Sequence, residues 1–596
     1  MSSANTAGNS ENDTWPWKVL LVLLAVCLAH GLWVGRDLGL YAAILDTYRD
    51  AGLVQGILDG NLSGDPSIAG AWRYYPPMLH ALAAGVALIT HVQPLQLLIR
   101  AAPWVNLLVP ATFFLMVRRL IDAPVAAVAT LLLVCFNGVL LPPWMASSYT
   151  PWHSVPALTQ AVFFCGVWLI GARAHRGRLM DALCIGSMIG IVFLAHTVPA
   201  LILGPIAAAA AFSTQGIRMR TLVWIGAVGL VAVLWTLPFM LPLAGIYHLK
   251  ILNPSGSFID PLFDPTRFPK RVVAALLPGP AALAMSAWIY RRGALASRPM
   301  ARSTGARATL AILCVWIGVP VLFIMRHFGC GAGGTSPACT AFVVPVHHWM
   351  FYLQSGLACV FGYAVTSVFG VAMNRQAAAR GEVTRNAGVA SAGVGASAGV
   401  GASAGMGASA GMGASAGASA GVASCSRKGL SPAISVPAIG ALTFACALLA
   451  FRPVDAQMRQ RAVEMRDRVD LELYQWLLAR TGPGALFVTD IATNAVHDTA
   501  AMAVLAAGRK SVALPFTFSN PYIDWSIRKK RAEAYLAAAR SGNDSEALCR
   551  LSAEAGRGNQ AYIALAVGTE APPGQLQLVF HSSRNNVYSV MPSACP

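Results

Sequence analysis

Charge is scarce in this chain, and acid is scarcer than base. Of its 596 residues 11% are charged; 25 are Asp or Glu and 43 are Lys or Arg, for a formal net charge of +18. A soluble domain carries about 25% charged residues, so an ordinary soluble globular chain is excluded. The 12 cysteines include no Cys-x-x-Cys pair, and no paired histidines complete a zinc set, so no metal-ligand set is read from the sequence. The region from Arg452 onward has no Gly-rich phosphate loop.

What is present is apolar length. Hydrophobic residues make up 56% of the chain, and the mean hydropathy is +0.58. Runs long enough to cross a bilayer lie at 17–34, 101–118, 123–142, 155–172, 180–196, 198–213, 221–241, 271–290, 308–326, 349–372 and 432–451. Alternate gaps are basic, at Arg118/Arg119, Arg173/Arg176/Arg178, Arg218/Arg220, Arg291 to Arg307, and Arg375 to Lys428. The gaps at 143–154 and around His196 hold neither Lys nor Arg. Placing the basic gaps inside predicts an α-helical polytopic protein of the plasma (inner) membrane, with about eleven spans. Residues 1–16 are then a cytoplasmic tail and the C-terminus is outside. The positive charge reports topology and contact with anionic lipid, not nucleic acid.

Segment 76–92 is also apolar, but a full crossing would move Arg118 and Arg119 outside. An outer-leaflet or re-entrant helix within a first outer loop at 36–100 is therefore expected. The first run has a lipobox-like Leu24-Ala25-Val26-Cys27. Val26 stands where a small residue belongs and Lys18 is the lone base of the n-region, so an uncleaved anchor is the better reading.

Residues 386–424 repeat Gly, Ala and Ser with Val or Met, without charge or core-forming side chains, and read as a disordered linker inside a membrane domain at 17–451. At 453–596 helical and β-like stretches alternate, which predicts a small extracytoplasmic α/β domain. Cys330, Cys339, Cys549 and Cys595 are the cysteines expected outside, where disulfides Cys330–Cys339 and Cys549–Cys595 suit an oxidising compartment.

The first outer loop starts with Asp37, just past the first span, and closes with Trp72-Arg73-Tyr74-Tyr75-Pro76-Pro77-Met78-Leu79-His80. Asp46 and Asp50 lie between them at helical spacing and read as solvated-face charges. Further cations expected on this side are Arg73, Lys250, Arg267, Lys270, His347 and His348; each also has the plain reading of an interfacial side chain. His80, His153 and His196 read as hydrogen-bonding residues of the bundle.

An acidic residue after the first span, a loop ending in Tyr-Pro-Pro, many spans and an outer C-terminal domain together resemble the GT-C superfamily of membrane glycosyltransferases. That superfamily includes the protein O-mannosyltransferases and the aminoarabinose and arabinofuranosyl transferases. The resemblance implies inverting transfer of a sugar from a polyprenyl-phosphate donor to a glycan, lipid or protein acceptor at the outer membrane face. Asp37 would be the general base, because the acceptor hydroxyl must lose a proton as it attacks. Arg73, Tyr75, Lys250, Lys270, His347 and His348 would bind substrate, with the cations answering charge on the leaving phosphate. The chain has a single acid at 37 where the pattern has an adjacent pair. A divalent metal is thus the one cofactor the resemblance leaves open. The competing readings are a transporter or flippase for a lipid-linked glycan and a non-catalytic envelope scaffold. A transporter calls for ionisable residues at mid-span, and the runs are nearly free of Asp, Glu and Lys.

Overall fold

The structure is a computed structural model that describes residues 14–135, 150–253, 304–330, 348–368, 436–490 and 499–591. Helix α1 (Trp15–Leu38) opens on Pro16 in its first turn, where a missing N–H is harmless, and stops at Gly39 with φ of 56°. Two helices of the first outer loop follow, α2 (Leu45–Leu58) and α3 (Met78–Thr90). Then come α4 (Pro94–Val105) and α5 (Leu108–Leu120), α6 (Ala123–Cys135), α7 (Val155–Arg173), α8 (Leu179–Ala195), α9 (Thr197–Gln215), α10 (Met219–Tyr247), α11 (Thr304–Cys330) and α12 (His348–Val368). Helix α13 (Val436–Arg468) leads into the C-terminal region.

Seven segments among the described residues are long and apolar enough to cross a membrane. Every run expected from hydropathy is helical over its described part, except 271–290, which lies outside the described residues together with the linker at 386–424. Helix α3 is about 20 Å long, short of the ~30 Å hydrocarbon layer. It exposes Leu82, Leu88 and Ile89, a surface that suits lipid rather than water.

Spans that are apolar all round pack through shape rather than through an amphipathic stripe. Gly186 and Gly190, one turn apart on α8, admit α10: a Cβ on Gly186 would lie 2.6 Å from the Val228 carbonyl oxygen. Trp235 Nε1 donates to Ser187 Oγ across the same contact at 3.0 Å. Phe163 meets Trp316 and Tyr352 edge-on at 5.2 and 4.9 Å, tying α7 to α11 and α12 in the buried centre.

Helix α13 runs unbroken through Arg452 from its apolar half into its charged half. The next helix, α14 (Leu471–Arg480), is capped by Asp470, which accepts from Leu473 N at 2.9 Å. The sheet has strands β1 (Leu486–Val488), β2 (Lys510–Ser511), β3 (Ala561–Ala566), β4 (Leu576–His581) and β5 (Asn585–Val590), in the order β2-β1-β3-β5-β4. Strand β1 is parallel to β2 and β3, and β5 is antiparallel to β3 and β4. Helices α15 (Thr499–Ala506), α16 (Trp525–Ser541) and α17 (Ser545–Ala555) pack on it. Cys549 is disulfide-bonded; Cys339 and Cys595 lie outside the described residues.

The segment between α2 and α3 is built into this sheet. Ile68 bridges Ser511 in parallel, Ser511 N donates to Ser67 O at 2.8 Å, and Ala69 N donates to Ser511 O at 3.3 Å. The loop thus covers the edge at β2, which would otherwise present unpaired backbone groups. Arg509 adds an ion pair to Asp59, at the end of α2, at 2.9 Å.

Candidate active site in the first outer loop

Helix α2 carries Asp46, Arg49 and Asp50 at i, i+3 and i+4, which puts all three on one face. Arg49 forks between the two carboxylates. Its Nη1 lies 3.0 Å from Asp46 Oδ1, and its Nη2 and Nε lie 2.8 and 3.0 Å from Asp50 Oδ1. The guanidinium also sits 4.5 Å from the centroid of the Tyr75 ring, with Nη2 3.4 Å from Tyr75 Oη. His80, one turn after Pro76-Pro77, presents Nε2 to Asp50 Oδ1 at 3.2 Å and Nδ1 to the Pro76 carbonyl at 3.3 Å. His153 Nε2 approaches Asp50 Oδ2 at 3.9 Å.

These contacts correct the sequence reading of Asp50 as a solvated-face charge. Its side chain is 1% exposed, whereas that of Asp46 is 47% exposed. Burial alone would push the Asp50 carboxyl up. Burial is the largest single influence, but the Arg49 guanidinium, the His80 hydrogen bond and the nearby imidazoles together outweigh it, and the group is held well below the usual carboxylate range. Burial pushes the His153 imidazole down to about 4, so it is neutral at pH 7. The shell behind the cluster is tied down as well. Thr47 Oγ1 donates to the His153 carbonyl at 3.3 Å. Asn106, at the joint of α4 and α5, donates to the carbonyls of Thr150 and Trp152, the latter at 2.8 Å.

The other expected site residues are dispersed. Asp37, at the end of α1, is 42% exposed and pairs with Arg459 of α13 at 2.7 Å. Arg73 is 5% exposed; its Nη2 donates to the Asn61 carbonyl at 3.0 Å, while Nε and Nη1 are buried with no hydrogen-bond partner among the described residues. Lys250 follows α10 and is exposed. His348 opens α12 and stacks on His196 at 4.6 Å. Lys270, His347 and Arg267 lie outside the described residues. Tyr75 is the expected residue that the structure brings into the α2 cluster. Arg49 was unassigned by sequence reasoning, Asp50 was read as a solvated-face charge, and His80 and His153 were read as hydrogen-bonding residues rather than as members of a site. The available signal was the pairing of an Asp-x-x-Arg-Asp helix face with a histidine one turn after Pro-Pro.

No protein-family model and no curated protein matches this sequence. Among solved structures, ArnT from Cupriavidus metallidurans bound to undecaprenyl phosphate is similar over 96% of this chain and 98% of that one, at 13% identity and a TM-score of 0.48. The Archaeoglobus fulgidus oligosaccharyltransferase in its apo form is similar over 93% of this chain and 70% of that one, at 12% identity and a TM-score of 0.47. The same organism's AglB, in complex with an inhibitory peptide and a dolichol-phosphate, covers 94% and 70%, at 11% identity and a TM-score of 0.46. At such identities nothing those proteins bind passes to this chain by likeness alone.

A metal would find little to hold it in the cluster. Arg49 occupies the open side of Asp50 Oδ1, and its charge opposes a second cation there. Among the described residues no group of three or more His, Cys, Asp or Glu gathers for metal binding.

Proposed function

We propose that this chain is an integral-membrane glycosyltransferase. It moves a sugar from a polyprenyl-phosphate donor to a cell-envelope glycan, lipid or protein acceptor at the outer face, with inversion at the anomeric carbon. The observation that carries this reading is the ion cluster locked behind Tyr75-Pro76-Pro77 in the first outer loop. A buried carboxylate fixed by Arg49 and His80 is costly to build, and it orients its neighbours rather than a solvated surface.

In this reading a carboxylate takes the proton of the acceptor hydroxyl as that oxygen bonds to the anomeric carbon. The bond from that carbon to the donor phosphate oxygen breaks, and the lipid phosphate leaves with the electron pair. Two carboxylates answer the description. Asp37 is the position the resemblance assigns. Asp46 is the position the geometry favours: it is half open to solvent, one oxygen is held by Arg49, and the other makes no hydrogen bond among the described residues. Asp50, closed off at 1% exposure, positions Arg49. Arg73, whose Nε and Nη1 make no hydrogen bond among the described residues, and Lys250, Lys270, His347 and His348 are the proposed phosphate-binding groups. No step is routed through a metal.

Mass spectrometry of envelope lipids and glycans with and without the protein tests the reading. The expected result is loss of one sugar from an envelope component and accumulation of a polyprenyl-phosphate sugar; an unchanged profile refutes it. Asn variants then separate the two acids. The variant at the true base lowers transfer by about 10²–10⁴-fold, and the other stays within about tenfold.

A further inference from the structure

The arginine-rich end of the bundle holds a second cavity, independent of the transferase reading. Helices α5 and α7 meet on their buried side through Phe113 and Phe164, whose rings lie 5.0 Å apart. Toward the outside they part around a cavity of about 560 Å³ lined by Thr112, Leu115, Met116, Arg118, Arg119, Cys165 and Trp168. Its two ends differ chemically. Leu115 and Trp168 are 45% and 43% exposed apolar walls along the span, while Arg118 and Arg119 close the helix end. Neither arginine makes an ion pair among the described residues. Arg118 lies over the Trp17 ring at 4.7 Å, which sets its guanidinium beside the first turn of α1. By contrast Arg173, at the end of α7, is already answered by Asp181 at 3.1 Å.

A groove with apolar walls and two guanidinium groups that make no ion pair among the described residues matches a molecule with an acyl chain at one end and a phosphate at the other. Guanidinium forks suit phosphate oxygens, and each basic residue near the surface adds to the attraction of anionic lipid. The arginine end of the cavity lies about 18 Å along the helix from Asn106, which ties down the loop carrying His153, so the proposed phosphate position is remote from the α2 cluster. We propose that this groove binds one anionic phospholipid of the surrounding bilayer, with its phosphate on Arg118 and Arg119 and an acyl chain over Leu115 and Trp168.

The test uses the full-length protein, extracted in detergent and titrated with dioleoyl phosphatidylglycerol in the presence of tenfold excess dioleoyl phosphatidylcholine, with native mass spectrometry as readout. The wild type is expected to retain one phosphatidylglycerol. Arg118→Gln with Arg119→Gln should lower that retention by about tenfold or more. Leu115→Trp, which fills the groove and leaves both charges, should lower it as well and keeps the test open should the double variant misfold. Arg176→Gln with Arg178→Gln, at the same end of the bundle but outside the cavity, should retain the lipid. Equal retention of the two lipids, an undiminished signal from both groove variants, or an equal loss from Arg176→Gln/Arg178→Gln would overturn the proposal, the last because it would show diffuse attraction without a site.

Discussion

Asp50 cannot be read apart from Arg49. A carboxylate with 1% of its side chain exposed survives as an ion because a guanidinium forks onto it at 2.8 Å and an imidazole approaches at 3.2 Å. Removing one partner of such a pair leaves an uncompensated buried charge, worth about 3–5 kcal/mol. Arg49→Gln is therefore expected to destabilise the first outer loop by that order, read as lost hydrogen-exchange protection over 41–58 with the spans unchanged. Acid should act on the same place. The folded imidazole of His153, near 4, lies below the ~6.5 of a free histidine, so the unfolded loop takes the proton first. Stability is full above about 6.5 and falls as the pH drops toward 4. Asp50, whose folded value is depressed, adds its own loss only below about 4. Hydrogen exchange over 150–155, compared at pH 7 and pH 5 after correction for intrinsic rates, should show the loosening, and His153→Gln should abolish the difference. Tyr75-Pro76-Pro77 was legible in the sequence as a motif. Asp50 was not, because helical spacing shows which residues share a face but not what covers that face.

The opposite face of α2 packs on the C-terminal region, and at the scale of elements that seam is made by small residues. A Cβ on Gly52 would strike the Leu505 carbonyl at the end of α15, and one on Gly56 would meet Pro66. Gly508, with φ of +64°, turns the chain back against the Gly52 carbonyl. Gly52→Ala must push α2 and α15 apart, and overpacking of this kind costs about 1–3 kcal/mol. The expected result is a lowered melting temperature and faster exchange over 499–511. Gly35→Ala in α1, where a Cβ meets nothing within 4 Å, is the neutral control. β-like runs at 562–567, 576–580 and 587–590 were readable in the sequence, each within two residues of the strands β3, β4 and β5. The addition of Ser67 to Ala69 beside β2 was not, since it joins residues more than 400 positions apart through backbone atoms that carry no sequence signal.

For the whole molecule, the arginines are expected to set orientation. Reporters fused after Arg119 or within 386–424 are expected in the cytoplasm, and one fused after Pro596 outside; a cytoplasmic signal at Pro596 would put the α2 cluster on the wrong face for a lipid-phosphate donor used outside. The disulfide at Cys549 fits that placement, because such bonds persist in oxidising compartments. The docking of loop on sheet, through Asp59–Arg509 and the Ile68–Ser511 bridge, makes the outer region one continuous body with the end of α2.

The sequence by itself determined the membrane class, nearly all the helical runs, the α/β character of the C-terminal region and the loop where the chemistry is sought. Each of these follows from local length, periodicity or composition, which act along the chain. Tertiary structure alone decided which acids are buried, that Asp37 meets Arg459 while Asp46 and Asp50 share Arg49, and that His80 and His153 converge from separate segments on one carboxylate. Those outcomes depend on distances between remote segments, and the large cost of burying an unpaired charge selects the arrangement in which Asp50 meets Arg49 and His80.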